Sequence, residues 1–125
     1  MDTAVSKVVG IMKTNDPLLF RLQGYIQTKA KKATTKPVFV RVSSHMQKKT
    51  GDAVLISYPT IAKPKEYEVV YRKPFYEHMR SKPRALEQIA SHELAHIKHP
   101  NTHNAAFRTE AERLGAGKYA KRQSD

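Results

Sequence analysis

Four of the six histidines in this chain fall between residues 92 and 103, and two of them sit in a His-Glu-x-x-His pattern: His92, Glu93, His96. On a helix, residues four apart share a face, so both imidazoles can grip one ion. Glu93 lies about 100° further round. That sets its carboxylate beside the ion rather than on it, where it can take a proton from an attacking water. Such a pattern needs an amphipathic helix to carry meaning. Leu86, Ile89, Ala90, Leu94 and Ile97 supply one by their spacing, with His92, His96 and His99 on another side and Glu93 between the two.

A catalytic zinc takes three protein ligands and keeps a fourth position open. His99, His103, Glu110 and Glu112 are the candidates for the third. A straight helix cannot bring His103 to His92, because eleven residues rise roughly 16 Å. Pro100 disfavours helical geometry at His99, so the helix should end near Lys98 or His99. Asn101 and Thr102 then make a turn and cap a second helix that His103 opens, facing the first two ligands. His103 is the preferred third ligand. Glu110, two turns beyond it on the same face, is the runner-up ligand or a partner to one. His99 is read as a cation at the helix C-terminus or a group supporting a ligand. Glu112 points to solvent.

The stretch His-Glu-Leu-Ala-His, a turn, then Thr-His-Asn-Ala-Ala-Phe-Arg-Thr-Glu-Ala-Glu-Arg-Leu-Gly resembles the SprT-like zinc metallopeptidases and the related WLM and YgjP-like groups. The resemblance runs from about residue 84 to 116. It implies ligands at His92, His96 and His103, a general base at Glu93 and an aromatic at Phe107. It also implies a zincin-like fold, binding of an extended peptide along a sheet edge, and action on DNA-bound or DNA-crosslinked proteins. Chains of this kind often carry a cysteine-rich zinc ribbon, and this one has no cysteine. A bare metallopeptidase domain over 1–116 is expected, followed by a basic, flexible tail over 117–125.

The 125 residues suffice for one domain with a modest core. Without cysteine, a metal must be held by histidine and carboxylate, which suits one Zn²⁺ better than calcium or magnesium. No apolar run is long enough to span a membrane, and the N-terminus lacks the apolar core of a signal peptide. An intracellular monomer, cytoplasmic or DNA-associated, is the expectation. The formal charge of +12 favours a polyanion partner, met through the phosphate backbone of DNA. Lys29, Lys31, Lys32, Lys36, Lys48, Lys49, Lys118, Lys121 and Arg122 are the candidate contacts; Tyr25 reads as core rather than as a stacking platform.

The elements that position these residues follow from pattern. Residues 3–13 carry Ala4, Val5, Val8, Val9 and Met12 at helical spacing. Asn15-Asp16-Pro17 starts a second helix reaching about Ala30, in which Gly24 suggests close packing. Three strands follow: a half-buried one around Val38, Val40 and Val42, then Ala53–Tyr58, then Glu66–Arg72. A helical turn over Pro74–Arg80 leads to Ser81, which caps the metal helix from Pro83. His45 and His78 read as surface residues. Gly115 and Gly117 end the last helix. The predicted fold is α+β: N-terminal helices, a small three-stranded sheet, the metal helix and a C-terminal helix.

The chemistry expected of this layout is that of a zinc-dependent endopeptidase, with Tyr71, Tyr76 and Tyr119 as candidate donors to the oxyanion. Two alternatives stand beside it. One is a nucleic-acid-binding module whose structural metal is closed by His99 as fourth ligand. The other is a zinc hydrolase of non-peptide bonds, since the same ion and base serve phosphoryl and acyl chemistry.

Overall fold

The computed structural model describes residues 3–4, 15–44, 53–62, 64–100 and 102–121. The first strand, β1, is the two-residue Thr3–Ala4; the helix expected over 3–13 is absent there, and its remaining residues lie outside the described ones. Helix α1 spans Pro17–Ala30 and begins as its sequence dictates. Asp16 is the N-cap and its side chain accepts from Leu18 N at 3.0 Å, while Pro17 fills the first turn, where no N–H is needed. Strands β2 (Val38–Ser43), β3 (Val54–Ser57) and β4 (Tyr67–Arg72) come next, then α2 (Lys73–His78), α3 (Pro83–Ala95), α4 (Ala105–Arg113) and a 3₁₀ segment over Gly117–Lys121.

The fold is α+β with a small mixed sheet in the order β1-β2-β4-β3. The central pair, β2 and β4, is parallel with Val40 opposite Val69; β3 runs antiparallel to β4, and β1 antiparallel to β2. This register aligns Val38, Val40, Val42, Val54, Val69 and Tyr71 in one apolar layer, which joins Leu19, Leu22 and Ile26 of α1 and Leu86, Ala90 and Leu94 of α3 in the core. Strand β2 is not half-buried as its alternation suggested. Phe39 and Ser43 are buried too, and Arg41 pairs with the buried Glu68 at 3.4 Å. A central strand is covered on both faces, and alternation then weakens as a guide to exposure.

Short β1 reaches only Arg41 and Val42 of β2. Beyond it, the side chain of Gln23 takes the place of a strand: its amide donates to Val38 O at 3.1 Å and its carbonyl accepts from Val40 N at 2.8 Å. A buried edge is thereby satisfied by one side chain. Gly24 has open space where a Cβ would be, so it does not mark close packing.

At the other end of α1, Asp16 is a hub. It accepts from Tyr76 Oη at 2.7 Å and takes a two-pronged ion pair from Arg80. Burial alone would raise the Asp16 pKa. The hydrogen bonds from Arg80 and Tyr76, with the Arg80 charge, outweigh it and hold the carboxyl below its ordinary value. No helix among the described residues is long and apolar enough to cross a membrane.

Two outcomes follow for stability. Gln23→Leu strands a buried carbonyl and a buried N–H, and should cost about 2–4 kcal/mol in urea unfolding. Because the folded-state pKa of Asp16 is depressed, its contribution is present above the unfolded value of about 4 and is lost as pH falls through the folded one. Asp16→Asn should therefore destabilise the protein at neutral pH, and its deficit relative to wild type should shrink steadily as acid melts are taken below pH 4.

Candidate metal centre

Helix α3 is buried almost all round in its second half, from Ala90 through His96. Its entry is capped differently from expectation: Lys82, not Ser81, is the N-cap, without a side-chain hydrogen bond. It also ends earlier. The last α-helical residue is Ala95, and the chain tightens through short-range bonds from His96 N to Glu93 O and from Ile97 N to Leu94 O, each 3.1 Å. Pro100 acts further upstream than one residue because this tightened turn precedes it. His96 remains in right-handed helical geometry, so it keeps the face it shares with His92.

The chain then reverses. Asn104 is the N-cap of α4, its Oδ1 accepting from Phe107 N at 3.0 Å, and Thr102 Oγ1 accepts from Asn104 N at 3.4 Å. His103 thus precedes the helix instead of opening it; Asn101 lies outside the described residues. The reversal brings His103 back over α3. One ligand atom from each of His92, His96 and His103 lies within 4.8 Å of the others, close enough to hold one metal ion. Their ring centroids are 5.2, 5.3 and 4.9 Å apart. The fully buried Phe107 ring lies 4.9, 4.5 and 5.0 Å from the three imidazoles and forms an apolar backing to the cluster.

Two carbonyls decide the tautomers. His92 Nδ1 lies 2.9 Å from Tyr119 O, and His96 Nδ1 lies 3.0 Å from His99 O. A carbonyl can only accept, so Nδ1 carries the proton in each ring and the lone pair is at Nε2. Each ring thereby keeps Nε2 as the atom that a metal would take. Among the described residues no fourth His, Asp or Glu joins the group. The donor set therefore suits a nitrogen-preferring divalent ion with an open position.

Glu93 is 1% exposed, on α3 between the two helix ligands. His99 supplies its carbonyl to His96 and is not in the cluster. Glu110 is not in it either. Arg113 grips both its oxygens at 2.9 and 2.7 Å, and Lys98 approaches to 3.8 Å. The Arg113 hydrogen bonds, assisted by the charges of Arg113 and Lys98, hold the Glu110 carboxyl below its usual range against the effect of burial. Glu112 is exposed.

The expected oxyanion donors are differently employed. Tyr71 is fully buried and donates to Leu86 O at 2.8 Å, and Tyr76 donates to Asp16. Tyr119 is buried and reaches the site through its backbone. Of the expected tail over 117–125, residues 117–121 fold back, and the rest lie outside the described residues. Gly115 (φ 98°) and Gly117 (φ 58°) turn the chain, and Tyr119 and Ala120 pack in the core. Ser91 helps hold this return, donating to Leu114 O at 2.8 Å while Tyr25 donates to Ser91 Oγ at 2.7 Å.

Sequence reading missed the Tyr119 carbonyl, because a backbone group 27 residues away has no side-chain signature. It also missed Tyr58, whose hydroxyl donates to His96 O at 3.0 Å and ties the end of β3 to the ligand turn.

Of the candidate phosphate contacts, Lys31, Lys32, Lys36, Lys118 and Lys121 are exposed, and Lys29 is half-buried against the Tyr25 ring. Lys31 and Lys36 border a cavity of about 650 Å³ at the end of α1. Lys48, Lys49, Arg122 and His45 lie outside the described residues, and His78 is exposed.

No family model matches the chain, and no curated protein and no solved structure shows significant similarity to it.

Purified wild-type protein should hold one equivalent of metal per chain. His103→Ala should lose it, and Glu110→Ala should keep it while unfolding more easily; elemental analysis of the three proteins checks the ligand set.

Proposed function

We propose that this protein is a metal-dependent hydrolase, best described as a zincin-like zinc endopeptidase of SprT-like character that acts on DNA-associated or DNA-crosslinked proteins. The observation that carries the reading is the convergence of His92, His96 and His103 within 4.8 Å, with Glu93 following the first of them in sequence, buried on the same helix. A structural site closes its ion with four protein ligands and needs no base. Here His99 turns its carbonyl to His96 and stays outside the cluster, which favours the hydrolase over the structural-metal reading.

When bound, a zinc-type ion supplies a Lewis acid that polarises the scissile carbonyl and acidifies a water. The residues do the rest. His92 and His96 are held in one tautomer by the carbonyls of Tyr119 and His99. Phe107 keeps water from behind the rings. Glu93 accepts the proton of the attacking water on a carboxylate oxygen and returns it to the leaving amine nitrogen, so the carboxylate is regenerated.

Peptide binding has a natural place. Among the described residues β3 is a sheet edge, it packs against α3, and Tyr58 directly after it bonds to the ligand turn. An extended substrate adding to β3 as a further strand would run beside the strand whose end is tied to the ligand turn. The net charge of +12 supports substrates found on DNA, by raising the local concentration of a polyanion and whatever it carries.

Glu93→Gln should retain its metal and lose about 10²- to 10⁴-fold in turnover of casein or histone. Equal cleavage by variant and wild type would exclude Glu93 as the base.

A further inference from the structure

The charge on this surface is not spread evenly, and the arginines that sequence reading passed over organise it. Arg21 of α1 and Arg84 of α3 both reach Glu87, at 2.9 and 3.4 Å. Arg84 and Lys29 lie 5.9 and 5.6 Å from the centroid of the Tyr25 ring. A Cβ on Gly115 would come within 3.0 Å of Tyr25 Oη and 3.2 Å of Lys29 Nζ, so the end of α4 abuts the same patch. Arg113 extends it, donating to Lys32 O at 2.9 Å while gripping Glu110. Contacts therefore link Arg21, Arg84, Lys29, Lys32 and Arg113 across three helices.

The signs are stacked in depth. The side chains of Glu87 and Glu110 are only 8% and 10% exposed, whereas those of Arg21, Arg84 and Arg113 are 51%, 61% and 43% exposed. The carboxylates lie beneath the guanidiniums, and the outward layer is cationic. Arg21 meets Glu87 through Nε and Nη2, and Arg113 meets Glu110 through the same two nitrogens, which leaves Nη1 of each outside those pairs. Guanidiniums pinned from below lose little freedom when an anion binds from above, so the face is preorganised.

We propose that this belt on α1, α3 and α4 is a docking surface for the phosphate backbone of duplex nucleic acid. It deepens the polyanion half of the proposed function and does not depend on the hydrolytic half. A duplex fits better than a single strand because single-strand sites use exposed aromatics as stacking platforms. The aromatic within these contacts, Tyr25, is half-buried, has cations beside its ring and turns its hydroxyl inward to Ser91, and the exposed Phe20 beside Arg21 is one ring, not a row on which successive bases stack.

The test is binding of the metal-loaded protein to a fluorescent 20-base-pair DNA duplex, followed by anisotropy over a range of salt. The triple variant Lys29→Gln, Lys32→Gln, Arg84→Gln leaves Arg21 on Glu87 and Arg113 on Glu110, so neither buried carboxylate loses every cation. It should bind at least tenfold more weakly, and its log K against log salt slope should be shallower by about 2–3, near 0.9 per lost phosphate contact. The control Lys31→Gln, Lys36→Gln, Lys73→Gln removes equal charge elsewhere and should bind nearly as wild type. Equal weakening of both triples, or none in the first, would overturn the belt.

Tighter binding of a single strand of the same length, or equal binding of a polyglutamate peptide, would overturn the assignment to a duplex. If the first triple does not fold, acetylation footprinting of the wild type decides: the duplex should protect Lys29 and Lys32 but not Lys36 or Lys73. Binding through the belt without any cleavage would keep this surface and remove the hydrolase. Cleavage without duplex binding would do the reverse.

Discussion

A histidine buried in a protein core must settle which nitrogen carries its proton, and this structure turns on how two of them do so. The rings of His92 and His96 sit 3% exposed as residues against Phe107. In such surroundings an unplaced N–H is costly. The carbonyls of Tyr119 and His99 take that proton at Nδ1 and present Nε2 to the cluster. Much of the fold serves this arrangement. The tight turn after Ala95 is what carries the His99 carbonyl back to its own helix. Gly115 and Gly117 turn the C-terminal segment so that Tyr119 can lie over α3, and a Cβ at Gly117 would meet Gln88 Nε2 at 2.6 Å.

Helix α3 is accordingly packed almost all round in its second half. Strand β3 and strand β4 flank it, α1 lies alongside, and α4 and the 3₁₀ segment close over it. Its inner residues Leu86, Ala90 and Leu94 join the core, while the site occupies a second buried face under α4 and Phe107. Packing of this sort is what the proposed metal site would require, because ligands must keep their relation before an ion binds. The cationic face across α1, α3 and α4 uses the same economy: two buried carboxylates hold the arginines in place.

Much of this was legible from residue spacing. His92 and His96 needed only the helical period, and His103 needed Pro100 to force a reversal. Asp16 and Pro17 marked the start of α1 to the residue, and the three main strands lay where β-branched and aromatic residues alternate. The failures share a cause, which is tertiary contact. Ser81 looked like a cap by type, but Lys82 occupies the position. Residues 117–121 looked like a tail because they are small and basic, yet Tyr119 and Ala120 found a surface to bury against. Glu110 lay on the right face for a ligand, but Arg113, three residues on, claims both its oxygens. The Gln23 bridge and the Tyr119 carbonyl involve backbone groups, which every residue has and no sequence pattern marks.

The most direct test of the central claim is to locate the ion by anomalous diffraction at the zinc edge in crystals of the protein as purified. A single peak is expected about 2.0–2.1 Å from Nε2 of His92, His96 and His103, with Nδ1 of the first two still bonded to the carbonyls of Tyr119 and His99. A peak bound through Nδ1, one that includes His99 or Glu110 as a fourth protein ligand, or one elsewhere on the molecule would contradict it.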